Sequence, residues 1–181
     1  MRAFIALDVS EEMRDDCAAL ARQLAASVDA RFMPRTNYHL TLAFLGDIGE
    51  AQARDALDAL HDAHTAWATH AADPQLLLTP QGLGTFGRPH DATLWLGFEC
   101  TPDLMSCADE LRAAFDARGL AYDRKAFLPH LTLARRARLA HGTLPELAFP
   151  LPDVAPGITL YKSELSRDGA SYKPLYTLPL T

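Results

Sequence analysis

The sequence predicts a fold of mixed helices and strands built from two similar lobes, because one strand–helix–strand pattern occurs twice. The stretches 3–44 and 94–135 superpose without a gap at an offset of 91 residues, as from His39 to His130. Each begins with an apolar run, continues with an amphipathic pattern and ends in the same five residues, His-Leu-Thr-Leu-Ala. Repetition at a fixed offset indicates duplicated structural units, and we expect an approximate two-fold axis to relate them.

Length and composition fit one compact unit. The chain has 181 residues and a mass of 19.8 kDa, and its 49% hydrophobic and 22% charged residues suffice for a real core. We therefore predict a single domain over residues 1–181 that holds both lobes. The formal net charge of −6 excludes a uniformly basic coat for nucleic acid, although a local basic patch remains compatible with it.

The first unit begins with a strand-like apolar run at 3–7, followed by Asp8. Ser10 is suited to cap the helix that follows. Apolar residues then recur at spacings of three and four and predict one buried stripe: Met13, Cys17, Leu20, Leu24 and Val28.

The second unit repeats this order. Its apolar run at 94–98 is followed by Glu99, which takes the place of the acidic residue in the first copy, and Thr101 is the second cap residue. Pro102 suits the first helical position and Gly119 a C-terminal stop. The predicted buried stripe is Leu104, Ala108, Leu111 and Phe115.

The remaining segments complete the lobes. The pattern over 52–67 predicts a helix, and 76–78, 158–161 and 176–178 are strand candidates with turn residues around them. Four prolines within 145–156 indicate a loop or an edge segment.

The N-terminal sequence, the hydropathy and the cysteines together predict the cellular location. Asp8 interrupts the N-terminal apolar run too early for a secretory signal, and no uncharged stretch reaches membrane-spanning length. The three cysteines form no Cys-x-x-Cys pair and are best interpreted as small core residues. We expect a cytoplasmic monomer that does not bind membranes.

The repeated His-Leu-Thr-Leu carries the chemistry. On a strand, His39 and Thr41 share one face, as do His130 and Thr132 in the second copy, with leucines on the other. Each unit thus presents an imidazole and a hydroxyl about 7 Å apart along the strand. A single such motif is better explained as an ordinary amphipathic strand, but two copies in register within a longer duplication favour a shared site.

Two facing imidazoles suit substitution at phosphorus. Histidine titrates near pH 6.5, so one ring can be a neutral base while its partner is a charged acid. In-line displacement needs these groups on opposite sides of the phosphorus, which a two-fold arrangement supplies. Thr41 and Thr132 are candidate donors to the non-bridging oxygens. This scheme requires no metal and no cofactor.

The two motifs resemble the paired His-x-Thr-x motifs of the two-histidine (2H) phosphoesterase superfamily. Within it the chain is most similar to the RNA 2′,3′-cyclic phosphodiesterases, formerly described as bacterial 2′-5′ RNA ligases. The likeness runs nearly end to end and includes the segments 2–7, 37–46, 82–86, 129–135, 160–165 and 172–175.

This resemblance implies a bilobal α+β fold, with antiparallel sheets that form a central cleft and helices packed outside. It implies hydrolysis of an RNA or oligonucleotide 2′,3′-cyclic phosphate terminus to a 2′-phosphate. It also implies that His39 is the proton donor to the leaving 3′-oxygen and His130 the proton acceptor from water. The residues alone leave this order open, because the two motifs are nearly symmetric.

Arginines near both motifs suggest a polyanionic ligand. The segment 122–138 contains five basic residues and one acidic residue, and Arg35 precedes the first motif. We predict substrate-binding roles for Arg35, Arg124 and Arg135, the alternative being a solvated arginine face. Strict alternation points Arg135 away from His130, so its role requires that the strand twist or end there.

Other functions remain as alternatives. The same cleft could carry out 2′-5′ RNA ligation or 2′-5′ phosphodiester cleavage, or the chain could be a non-catalytic module that binds RNA ends. Intact His and Thr in both motifs disfavour the last, since binding alone needs no pair of titrating groups. The Gly-x-Gly-x-x-Gly at 82–87 is not expected to bind a dinucleotide, because Arg88-Pro89-His90 follows where a helix should begin.

Overall fold

Antiparallel strands form the centre of the protein and three α-helices pack beside them in the computed structural model, which describes residues 1–72, 74–139, 146–166 and 169–180. The helices are α1 (Glu11–Ala25), α2 (Glu50–Ala68) and α3 (Pro102–Ala117). The strands are β1 (Arg2–Asp8), β2 (Asp29–Phe32), β3 (His39–Asp47), β4 (Leu77–Leu78), β5 (Pro80–Arg88), β6 (Asp91–Phe98), β7 (His130–Arg138), β8 (Asp153–Val154), β9 (Gly157–Ser166) and β10 (Gly169–Pro179).

The sheet brings the two motif strands together. Its order is β10-β9-β1-β3-β7-β6-β5, with β2 beside β7, and all neighbours are antiparallel. Strands β3 and β7 pair through Leu40 and Leu131. The predicted α+β class is confirmed. We propose that this central pairing joins the two lobes of one domain over residues 1–181.

The predicted helical stripes are confirmed as core. Met13, Cys17, Leu20 and Leu24 of α1 are buried, as are Leu104, Ala108, Leu111 and Phe115 of α3. The caps are confirmed too: Ser10 Oγ accepts from Met13 N at 3.0 Å, and Thr101 Oγ1 accepts from Leu104 N at 3.3 Å. No helix within the described ranges is long and apolar enough to cross a membrane.

The other predicted elements agree in part. The helix predicted over 52–67 is confirmed as α2, and the three strand candidates lie at or within β4, β9 and β10. In the proline-rich segment 145–156, position 145 lies outside the described residues. Residues 146–152 have no regular structure before β8.

The pairing of β1 with β3 and of β6 with β7 corrects one equivalence predicted from the repeat. Asp8 lies opposite His39, but Gly97 lies opposite His130. The predicted equivalence of Asp8 and Glu99 is therefore wrong: Glu99 follows the end of β6 and faces no motif histidine across the ladder. Two residues separate β1 from α1 and three separate β6 from α3, and the residue opposite the motif histidine is the last of β1 but the last but one of β6. The carboxylate of Asp8 therefore has no counterpart in the second unit.

The glycine-rich segment makes room for an aromatic ring. It lies within β5 and turns into β6, so no helix begins there. A Cβ added to Gly84 would overlap the indole of Trp95, its cross-strand partner, and one added to Gly97 would lie 2.9 Å from Trp95 Cζ3. These glycines let Trp95 lie flat on the backbone beside His130.

We expect Gly84→Ala to lower the free energy of unfolding by about 1–3 kcal/mol, the usual cost of forcing atoms into a filled space. Urea denaturation measures the change. Gly49→Ala is the control, because a Cβ at Gly49 meets only Gln52 Oε1 at 3.8 Å, and its cost should stay below about 1 kcal/mol. Equal losses in the two variants would contradict the packing role of Gly84.

Candidate active site

Both histidine–threonine pairs open into one cleft. His39 and Thr41 of β3 and His130 and Thr132 of β7 line a cavity of about 590 Å³. The pairs meet because each histidine comes one residue before the leucine through which β3 and β7 join. The structure thus brings together all four residues predicted from the motif.

The two imidazoles are held in the same way. His39 Nδ1 donates to the Asn37 carbonyl at 2.8 Å, and His130 Nδ1 donates to the Leu128 carbonyl at 2.7 Å. Because each carbonyl can only accept, the proton of each neutral ring lies on Nδ1. The Nε2 atoms are therefore left for ligand chemistry. In the first copy, Nε2 lies 3.1 Å from Thr41 Oγ1.

A short turn fixes the carbonyl that orients His39. Residues Arg35–Asn37 form one turn of 3-10 helix, closed by a hydrogen bond from Asn37 N to the Pro34 carbonyl at 2.9 Å. The buried Asn37 side chain donates to the Ala170 carbonyl of β10 at 2.7 Å. The turn is thereby tied to the sheet and sets the position of the His39 ring.

Aromatic rings surround each imidazole. His39 stacks on Phe4, with ring centroids 4.8 Å apart, and Tyr172 meets it edge-on at 5.1 Å. Phe86 meets His130 edge-on at 5.1 Å, and Trp95 lies 5.9 Å from it. None of these aromatic residues was among the predicted site residues, since they come from strands distant in sequence.

The electrostatics of His39 favour its neutral form. Its pKa is lowered to about 4, mainly by burial; the hydrogen bond to the Asn37 carbonyl raises it, and the positive charges of Arg14 and Arg135 and the second histidine lower it. In the unliganded protein His39 is therefore a neutral imidazole near pH 7.

A buried carboxylate lies behind this histidine. Asp8 accepts hydrogen bonds from the Tyr161 hydroxyl at 2.5 Å and from Thr159 Oγ1 at 2.6 Å. Burial and the carboxylate of Asp8 together raise the pKa of Tyr161, which keeps its proton. The Tyr161 ring stacks on Phe4 at 5.2 Å, so the network supports the ring on which His39 lies.

Arg135 lines the cleft because β7 is irregular. Trp95 lies opposite Thr132, but the next residue of β6, Leu94, lies opposite Ala134. This β-bulge inserts one residue, reverses the alternation and brings Arg135 to the face of the histidines. The sequence required the strand to twist or end if Arg135 was to reach the cleft, and the structure has a β-bulge at that point.

Strand β3 has the same irregularity between Thr41 and Ala43. It turns Phe44 into the cleft, where the guanidinium of Arg2 lies 4.9 Å from the ring centroid. Neither residue was predicted, although Phe44 stands at the repeat offset from Arg135 and could have been found from it.

The other two predicted arginines lie away from the cleft. Arg35 binds Glu11 at 2.7 Å and Asp15 at 2.5 Å, both on α1. Arg124 binds Asp116 of α3 at 2.6 Å. Since each guanidinium is paired with carboxylates outside the cleft, the geometry does not support the substrate-binding roles expected for them.

Comparison with known proteins gives consistent matches. A family model described as LigT like Phosphoesterase matches residues 7–70 and 98–172. The chain is 31% identical to an RNA 2′,3′-cyclic phosphodiesterase of Thermotoga maritima, over 97% of this chain and 94% of the relative. It is also 31% identical to one of Escherichia coli K12, over 99% and 97%. The crystal structure of E. coli LigT complexed with 3′-AMP superposes with a TM-score of 0.76 at 29% identity, covering 99% of this chain and 98% of that one.

We expect His39 to titrate well below pH 6.5 in the unliganded protein, near its pKa of about 4. Because this pKa is lower in the folded chain than in the unfolded chain, stability falls as the pH drops from about 6.5 to about 4, by up to about 1.4 kcal/mol per pH unit. Histidine NMR titration checks the pKa, and urea denaturation of wild type and His39→Gln checks the slope. A midpoint at or above 6.5, or an unchanged slope in the variant, would contradict this expectation.

Proposed function

The chain belongs to the LigT-like phosphoesterase family and is a cyclic phosphodiesterase, and from this premise we propose that it hydrolyses the 2′,3′-cyclic phosphate at an RNA terminus to a 2′-phosphomonoester, without a metal ion. One observation carries the proposal: His39 and His130 line one cleft, and each imidazole is held in the same way through Nδ1 by a backbone carbonyl two residues earlier.

The reaction is an in-line displacement. The cyclic phosphate lies between the two Nε2 atoms, and water attacks phosphorus from the side of His130, which takes the proton. The bond from phosphorus to the 3′-oxygen breaks on the opposite side, where His39 donates a proton to the leaving oxygen. The 2′-ester bond remains. Since imidazoles perform both proton transfers, the scheme needs no metal-bound water.

The role of His39 as proton donor requires a protonated ring, and the bound phosphate anion favours that form. The donor must be protonated, whereas burial keeps His39 neutral in the unliganded protein, with a pKa of about 4. A phosphate anion beside Nε2 favours the imidazolium and offsets the positive charge of Arg135, so it raises the pKa of His39. Protonation of His39 thus accompanies substrate binding.

The threonines and Arg135 stabilise the developing charge. Thr41 and Thr132 line the cleft with the histidines, two residues further along each strand, and their hydroxyls donate to the non-bridging oxygens. Arg135 compensates the charge of the phosphoryl group. Its position on the cleft face, given by the bulge, supports this role.

The relatives support an RNA substrate. Two of them are named RNA 2′,3′-cyclic phosphodiesterases, and E. coli LigT binds 3′-AMP, a nucleotide with a phosphate on its ribose. Two intact acid–base groups favour catalysis over mere binding of RNA ends. The monomeric state and the cytoplasmic location remain predictions.

His39→Ala and His130→Ala should each lower kcat/KM about 10²–10⁴-fold on an oligonucleotide ending in a 2′,3′-cyclic phosphate, the usual worth of a positioned proton-transfer group. In wild type, kcat/KM against pH should follow a bell. His39→Ala should flatten its alkaline limb and His130→Ala its acid limb. The assays are run in EDTA, with NMR identification of the product isomer and circular dichroism to show that each variant folds.

The exposed His70, which pairs with Glu110 outside the cleft, provides the control, and His70→Ala should keep wild-type rates. A folded histidine variant with near-wild-type activity would show that the motif is not catalytic. Formation of a 3′-phosphate would refute the order of bond cleavage. Loss of activity in EDTA, restored by a divalent ion, would refute metal independence.

A further inference from the structure

A second concave surface adjoins the catalytic cleft. It encloses about 550 Å³ and is lined by the basic residues Arg31, His90, Arg136 and Arg138, by Asp29 and Asp91, and by Ala30; we call it the arginine groove. Arg31 and Arg136 line both cavities, so the cleft and the groove are continuous. We propose that the arginine groove binds the phosphodiester backbone of the RNA on the 5′ side of the terminal cyclic phosphate. This inference rests on the proposed function and specifies its substrate as an RNA chain rather than a mononucleotide.

An irregularity in β7 places Arg136 between the cleft and the arginine groove. Ala134 and Ala137 lie opposite Leu94 and Ala92, so β7 has one residue more than β6 over this stretch. Arg136 takes up the extra length with a φ of 55°, a left-handed conformation that is costly for a residue with a side chain. As a result, two consecutive arginines are exposed on one strand. The bulge before Ala134 places Arg135 in the cleft, and this second irregularity places Arg136 where the cleft and the groove meet.

Two of the groove arginines, Arg136 and Arg138, are available to phosphate. The Arg136 side chain makes no hydrogen bond or ion pair with any residue in the described part of the chain. Arg138 lies 3.9 Å from Asp29, and the two side chains are 76% and 80% exposed. Such an exposed pair contributes little, so a phosphate can replace Asp29. In a chain of net charge −6, a surface with three arginines against two aspartates is a local exception.

Arg31 is positioned by the β9–β10 pair. Gly169 begins β10 with a φ of 125°, and a Cβ there would lie 2.6 Å from Arg31 Nη2. The missing side chain therefore leaves space for the guanidinium at the boundary of the two cavities.

The other extension of the cleft fits a polyanion poorly. A cavity of about 690 Å³ shares Thr41, Phe44 and His130 with the cleft, and its lining is mainly apolar. Its two basic residues are already engaged: Lys125 pairs with Asp123 at 3.1 Å, and Arg112 donates to the Lys125 carbonyl at 2.8 Å. Single-stranded RNA is bound through a positively charged path along its backbone. The arginine groove meets this requirement, so a chain whose last nucleotide occupies the cleft leaves through it.

The test compares two substrates, a single-stranded hexanucleotide ending in a 2′,3′-cyclic phosphate and a 2′,3′-cyclic mononucleotide. Arg138→Ala and Arg136→Gly each remove one positive charge from the groove. Glycine tolerates the φ of 55° at position 136, so neither variant should lower Tm, and Arg136→Gly should raise it by up to about 4 °C. The ratio of kcat/KM on the hexanucleotide to kcat/KM on the mononucleotide should fall about 2- to 5-fold for each variant and about 4- to 25-fold for the double variant. Arg54→Ala, an exposed arginine on α2, is the charge-matched control and should change neither substrate.

Anisotropy of a labelled product hexanucleotide measures the groove without turnover. The slope of the logarithm of the binding constant against the logarithm of the salt concentration should become shallower by about 0.7 for each phosphate that the double variant no longer neutralises. Equal losses on both substrates, an effect of Arg54→Ala as large as that of the groove variants, or an unchanged salt slope would overturn the inference. If wild type hydrolyses neither substrate, the proposed function fails, while the anisotropy still reports on the groove.

Discussion

One backbone pairing organises the candidate site: the contact between β3 and β7 through Leu40 and Leu131. Each leucine is completely buried, and each follows its histidine directly, so joining the leucines brings both imidazoles to one cleft. Beyond this pairing the two strands have different partners, β1 for β3 and β6 with β2 for β7. The strands therefore separate, and the space between them becomes the cleft.

The two imidazoles share their orientation but differ in surroundings. A carbonyl two residues earlier holds each ring by Nδ1. Around His39, however, burial beside the stacked Phe4 ring is the main cause that lowers the pKa to about 4, and the hydrogen bond from Tyr161 to Asp8 lies behind that ring. Gly97 stands where the second unit would need its own carboxylate. A nearly symmetric sequence thus places its two imidazoles in different surroundings.

Much of the fold and the four motif residues could be predicted from sequence, because helical stripes, caps and strand alternation depend on local spacing. The arginines show where such reasoning ends. Arg35 and Arg124 were predicted from charge near the motifs, but carboxylates on α1 and α3 pair with them. Arg135 depends on a bulge that alternation does not foresee. The aromatic neighbours of the histidines come from strand pairing across the sheet, which no local pattern encodes.

The central claim is that attacking water and leaving oxygen lie on opposite sides of phosphorus, each served by one histidine. The stereochemistry of hydrolysis tests it most directly. A 2′,3′-cyclic phosphorothioate of known configuration is hydrolysed in oxygen-18 water, and the configuration of the resulting 2′-phosphorothioate is determined. A single in-line displacement between His39 and His130 predicts inversion at phosphorus. Retention would require two successive displacements through a covalent phosphohistidine and would contradict the mechanism.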